Sequence, residues 1–224
     1  IYRESDNMIR SFEDHARRNL QNVDDSLLFS KMQYELKGRF TPELADFMQK
    51  RRSRLIEEIY LFDSGGKLIG GAPHSENLKF AVFFEIFNAH SQDDSRQLFV
   101  GKPTYDHPSA RWSIPVSRRL NHADGSFAGV AYASLSPYYF SDYYRQMALG
   151  YDNQIMMVGS DGIIRALQHP SGDDVGQDIG TQKIFSLWRQ ALTGTFEETD
   201  FYDQTHRYYT YRSMVDYPLI LSIG

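Results

Sequence analysis

The chain has 224 residues, a formal net charge of -5 and no cysteine. That length suits one large domain or two small ones, and the charge argues against a nucleic-acid binder, which would carry a basic face. The absence of thiols excludes disulfides, cysteine nucleophiles and cysteine-ligated zinc or iron–sulfur centres.

No apolar run approaches the roughly 18–20 residues needed to span a bilayer, and no signal peptide is present. The sequence opens on Ile1 and stops at Gly224 directly after YPLILSIG, so it is expected to be a piece of a longer protein. From Ile1 to about Tyr34 there is neither Gly nor Pro, and Met8, Ile9, Phe12, Ala16, Leu20, Val23, Leu27 and Tyr34 recur at steps of mostly three and four. This predicts one amphipathic helix of roughly 50 Å at 1.5 Å per residue. Its C-terminal half should pack on its own domain, whereas the sparser first turns suit a projecting helix that pairs with a second copy. Thr41-Pro42-Glu43 predicts a short helix to about Arg52, with Thr41 as N-cap.

Glu58–Ala72 reads as strand, Asp-Ser-Gly-Gly turn, strand, and Asn77–His90 as a helix. A short strand at Gln97–Lys102 and a loop at Pro103–Ala110 lead to a hairpin, Arg111–Leu135, turning at Asp124-Gly125. Tyr138–Leu149 reads as a linking helix. The order then recurs: a hairpin at Gln154–Ala166, a polar loop from His169 to Gly180, and a helix carrying Ile184, Phe185, Trp188 and Leu192. Strands follow at Gly194–Thr199, Arg207–Met214 and Leu219–Ile223. The element order repeats although the residues do not. The expected fold is therefore α+β, with two mostly antiparallel modules carried by one long helix. The divisions are 1–57, 58–136, a linker at 137–150, and 151–224.

Several runs resemble the double Cache (tandem PAS-like) extracytoplasmic sensor domains of bacterial receptors, of the sensor histidine kinase and diguanylate cyclase type. They are Glu85-Ile86-Phe87-Asn88-Ala89-His90, Leu98-Phe99-Val100-Gly101-Lys102-Pro103, Trp112 through Arg119, Asp124 through Val130, Tyr138-Tyr139-Phe140 and Tyr217-Pro218-Leu219. The resemblance spans the chain. It departs at Phe83-Phe84, where family members often carry Asp-Arg. It departs again near Ser134, where the amino-acid-binding pattern expects an Asp, and this argues against an α-amino acid ligand. The resemblance implies a periplasmic sensor, membrane-anchored in the full-length protein, that binds a small molecule in a membrane-distal module at about Glu58–Leu135. It implies no cofactor and no enzymatic activity in this portion. A homodimer through the N-terminal helix is expected, and the competing class is an interaction module without a small-molecule ligand.

Strand alternation places Arg118 and Arg119 on opposite faces of the sheet. Arg118 shares a face with Trp112, Ile114 and Val116, and a buried guanidinium needs an anionic partner from the chain or from a ligand. Arg118 and Trp112 are therefore the expected pocket residues, with a small anion such as a carboxylate as ligand. His90 alone reads as a helix C-terminal cap; with the resemblance it joins the arginine as a second donor to an anion. Tyr132 and Ser134 share one strand face and read either as pocket wall or as ordinary packing. Tyr105 and Asp106 lie in the loop before the hairpin, which reads as a lid or as a mobile surface segment. No zinc, calcium, nucleophile-elbow or phosphate-loop motif is present, so no catalytic or metal residue is assigned.

Overall fold

A computed structural model describes the chain except for residues 1, 72–79, 93–96, 108, 147–152, 170–173 and 201–202. Five helices and eleven strands are assigned among the described residues: α1 (Tyr2–Lys37), α2 (Pro42–Lys50), β1 (Ile56–Asp63), β2 (Leu68–Gly70), α3 (Phe80–Gln92), β3 (Phe99–Val100), β4 (Thr104–Asp106), β5 (Arg111–Asn121), β6 (Phe127–Leu135), α4 (Pro137–Gln146), β7 (Ile155–Gly159), β8 (Ile164–Gln168), α5 (Lys183–Trp188), β9 (Thr193–Thr199), β10 (His206–Ser213) and β11 (Leu219–Ile223). Expected helical residues 77–79 and 147–149 lie outside the described residues, as does 170–173 of the polar loop. The chain divides into two compact units, one of residues 20–136 and one of residues 1–19 with 137–224.

The unit of residues 20–136 holds an antiparallel sheet in the order β2-β1-β6-β5-β3, with β4 also pairing to β5. Its hairpin turn forms as the Asp124-Gly125 signal predicts. Gly125 takes φ +83°, and the Asp124 carboxylate accepts from the Ser126 amide at 2.9 Å and hydroxyl at 2.6 Å. Those two bonds hold the Asp124 carboxyl below its usual range. Gly129, at φ +139°, lets β6 close on β1, because a Cβ there would lie 2.0 Å from the Phe62 carbonyl oxygen. Thr41 caps α2, accepting from the Leu44 amide at 3.3 Å.

The other unit's antiparallel sheet runs β8-β7-β11-β10-β9. Numbered within each unit, leaving β4 aside, both sheets read 2-1-5-4-3, so the repeat seen in element order is a repeat of topology. Alternation also holds in the tyrosine run of β10, with Tyr208 exposed and Tyr209 and Tyr211 buried.

Two expectations need correction. The first turns of α1 do not project freely: Ile9 and Phe12 are fully buried, and Phe12 meets Tyr144 of α4 edge to face at 4.8 Å. The segment before the hairpin is not simply loop, since Thr104–Asp106 forms β4, paired with Ser113, Trp112 and Arg111.

On the same helix His15 lies flat on Tyr143, ring centroids 3.5 Å apart. Burial, helped by the charge of Arg18, lowers its pKa from 6.5 to about 4. The unfolded chain therefore takes up this proton before the fold does, so stability is full above pH 6.5 and falls as the pH drops toward 4. Urea midpoints measured across that range should show the fall, and His15→Phe should flatten it.

Candidate ligand site

The two faces of the first sheet carry different chemistry. On one face Arg118 is 9% exposed and meets Asp24 of α1 through both ends of its guanidinium: Nε donates to Oδ1, and Nη2 to Oδ2 at 2.7 Å. The partner a buried arginine requires is thus a carboxylate of the chain. Of the two partners expected for Arg118, a carboxylate of the chain or a ligand, the structure shows the first.

The other face is covered by α3. His90, 2% exposed, reaches Ser117 of β5, with Nε2 and Oγ 2.9 Å apart. Arg119 lies on this face and is held by neighbours. It donates to the His90 carbonyl and to Asn121 Oδ1 at 2.7 Å, and its guanidinium lies 5.0 Å from the centroid of Phe127. Both arginines at the end of β5 are therefore engaged within the protein.

Tyr132 and Ser134 of β6 sit on the α3 face, where Tyr132 pairs with Tyr60 and Ser134 with Glu58 of β1. The Tyr60 and Tyr132 rings stack with centroids 5.9 Å apart. Around them lies a cluster of acids and hydroxyls. Ser134 Oγ donates to Glu57 at 3.1 Å, and the Tyr60 hydroxyl donates to Glu58. Burial pushes the Glu57 carboxyl up, partly offset by Ser134 and the charge of Arg111. Burial and the two nearby carboxylates push the Tyr132 phenol up as well.

A cavity of about 260 Å³ borders this cluster, between α2 and β1, with Phe40, Met48, Arg52, Glu58 and Tyr60 on its wall. It offers a guanidinium, a carboxylate and an apolar surface within one small volume. The structure thus brings His90, Tyr132 and Ser134 to one face and leaves Arg118 on the other. Trp112 packs on Tyr105, ring centroids 5.3 Å apart. Asp106 ties its own turn, accepting from the Ser109 amide at 3.1 Å and hydroxyl at 2.5 Å, which fits a turn brace rather than a lid contact.

Sequence reasoning passed over Arg52, Glu57, Glu58 and Tyr60. Two adjacent acids opening an apolar strand, Glu57-Glu58 in LIEEIYLF, were the available signal. The irregular pairing between Ile56 and Glu58 hid which of them faces inward.

No family model matches the sequence, and no curated protein matches it significantly. Solved structures do match. The extracellular domain assigned to the histidine kinase rpHK1S-Z16 superposes with a TM-score of 0.89 at 24% identity, covering 99% of this chain and 92% of that one. The ligand-binding domain of the Pseudomonas aeruginosa PAO1 amino-acid chemoreceptor PctC, solved with GABA, gives 0.65 at 14%, covering 97% and 96%. The periplasmic sensory domain of the Campylobacter jejuni chemoreceptor Tlp1 gives 0.69 at 12%, covering 99% and 94%. The chain has the tandem PAS-like, double Cache-like fold of extracytoplasmic receptor domains. At these identities the likeness is one of fold.

Proposed function

We propose that the chain is the extracytoplasmic small-molecule sensing portion of a membrane-anchored signal-transduction receptor, and that it is not itself an enzyme. Residues 58–136 are the membrane-distal, ligand-binding module and 151–224 the membrane-proximal one. The ligand is a small carboxylate that also carries an ammonium group. The observation that carries this reading is the cavity with Arg52 and Glu58 on one wall, beside the buried Tyr60, Tyr132 and Ser134. Arg52 supplies donors for a carboxylate, and Glu58 and Glu57 supply negative charge for an ammonium. The amino-acid-binding Cache pattern expects an acid near Ser134; in this reading Glu58, opposite Ser134 on the neighbouring strand, takes that part. The neighbours' ligands agree in class, since PctC was solved with GABA and the Pseudomonas fluorescens receptor CtaA with L-alanine.

At a concentration of 100 Kd such a ligand stabilises by about 2.7 kcal/mol, which raises Tm by roughly 5–10 °C in a protein of this size. A thermal-shift panel of small amino acids should show that rise, and the matched carboxylates without the amine should show little. Glu58→Gln and Arg52→Ala should each remove it. If no amino acid or carboxylate moves Tm, the small-molecule reading fails in favour of an interaction module. A shift by plain carboxylates that survives Glu58→Gln returns the ligand to the class of simple anions.

The dimer through α1 belongs to the same proposal, carried by the second half of the helix. Leu28, Phe29, Met32 and Leu36 are exposed there, Leu36 at 73%, with spacing that keeps them on one stripe. Met32→Glu combined with Leu36→Glu should reduce the mass seen in sedimentation velocity to that of a monomer. An unchanged mass would remove α1 from the interface.

A further inference from the structure

The sheet of residues 155–223 carries a cavity of its own, about 270 Å³, walled by sheet residues, by loop residues such as Ile179, Asp200 and Gln204, and by Ile184 of α5. Register explains why the space exists. In each unit the pairing of the first hairpin slips by one residue, after Leu61 in one and after Met157 in the other. This aligns Phe62 with Val158 and Tyr60 with Met156. The cross-strand partners then align Tyr132, opposite Tyr60, with Ser222, opposite Met156. Where the first sheet fills this position with two stacked phenol rings, the second places a thioether and a hydroxymethyl group, and the wall opens.

The lining has a definite chemistry. Ser222 is 2% exposed, and its hydroxyl, shielded from solvent, has no hydrogen-bond partner, although buried hydroxyls are normally satisfied. Among the described lining residues there are two carboxylates, Glu198 and Asp200, and no Lys, Arg or His. Asp200 accepts from the Tyr209 hydroxyl at 2.6 Å and lies 3.4 Å from Arg207, whereas Glu198, opposite Arg207 in the strand register, forms no ion pair among the described residues. Met156 and Phe196 supply apolar surface. At roughly 30 Å³ for each water displaced, the volume suits a molecule of fewer than about ten non-hydrogen atoms.

His169, Asp200 and Asp203 also cluster, with ligand atoms within 4.8 Å of one another. The Arg207 guanidinium reaches Asp203 at 2.5–2.6 Å and Asp200 at 3.4 Å, so Glu198 is the cavity carboxylate that forms no ion pair among the described residues.

We propose that this cavity is a second ligand site, selective for a small organic ammonium with a short carbon chain. The head group lies against Glu198 and Asp200, the chain against Met156 and Phe196, and the Ser222 hydroxyl gains a partner. The site is separate from the one proposed on the first sheet and does not depend on it.

The test uses n-butylamine, butan-1-ol and butyrate, which share a chain and differ in head group, followed by isothermal titration on the whole chain. Butylamine should bind at least tenfold more tightly than either of the others. Ser222→Tyr, which copies the residue at the aligned position of the first sheet, should abolish binding, and Glu198→Gln should weaken it at least tenfold. Glu58→Gln should leave it unchanged, so failure here and failure of the first site are distinguishable. Should Ser222→Tyr lose its fold by circular dichroism, Glu198→Gln decides alone. Butyrate binding as well as butylamine, no amine binding at millimolar concentration, or amine binding unaffected by Glu198→Gln would each overturn the proposal.

Discussion

Asp24→Ala is expected to lower the stability of the unit of residues 20–136 by about 3–5 kcal/mol, the loss typical when one partner of a buried ion pair is removed. The Asp24 and Arg118 side chains are 16% and 11% exposed, so water can solvate the stranded guanidinium only partly. Guanidinium-chloride unfolding followed by circular dichroism should show the earlier transition. The double replacement Asp24→Leu with Arg118→Met should recover much of the loss, because it removes both desolvated charges together. A loss below about 1 kcal/mol would place the pair among surface ion pairs, which contribute little. Binding at the proposed first site should survive in any folded Arg118 variant, since that side chain lies on the opposite face.

Arg207→Ala should be about as damaging in the other unit, again by about 3–5 kcal/mol. Asp200 is 2% exposed at its side chain and would lose its nearest guanidinium. The dependence on acid should weaken as well. In the unaltered protein the bonds from Arg207 are the largest cause holding the Asp203 carboxyl far below its usual range. That contribution is present above the ordinary carboxylate pKa and lost as the pH falls through the lowered one. Without the arginine, that contribution disappears and the Asp203 carboxyl returns toward its ordinary range. Urea midpoints measured below the ordinary carboxylate pKa should fall in the parent as the pH drops, and fall less steeply in Arg207→Ala.

Much of the architecture was legible because it rests on period and punctuation. The steps of three and four from Ile9 to Leu27 define α1, Thr41-Pro42 defines the start of α2, and Asp124-Gly125 defines the turn of the hairpin. The repeat was legible in element order alone, since the two sheets share a topology while almost no aligned residue is the same. The candidate site was less legible. Alternation showed that Arg118 and Arg119 face opposite ways, but not which face the long helix takes, and a carboxylate nearly a hundred positions away in the chain decided that. Glu57 and Glu58 were obscured because a bulge shifts the register where they stand. Arg52 is exposed just beyond the end of α2, and only the packing of α2 against β1 puts it on the cavity wall.

The shared 2-1-5-4-3 order has a further consequence for how the protein is made. In both sheets the strand that comes last in sequence, β6 or β11, lies in the interior, between the first and the fourth. Until it arrives, each sheet exists as separate pieces with open inner edges, and edges of that kind recruit other strands. The pairings of β1 with β6 and of β7 with β11 are made late and across a long stretch of chain, which slows folding. Each unit is therefore expected to assemble in a single late step of strand insertion. A chain that ends before Leu219 would leave one edge of β7 and one edge of β10 open, prone to aggregate on the ribosome.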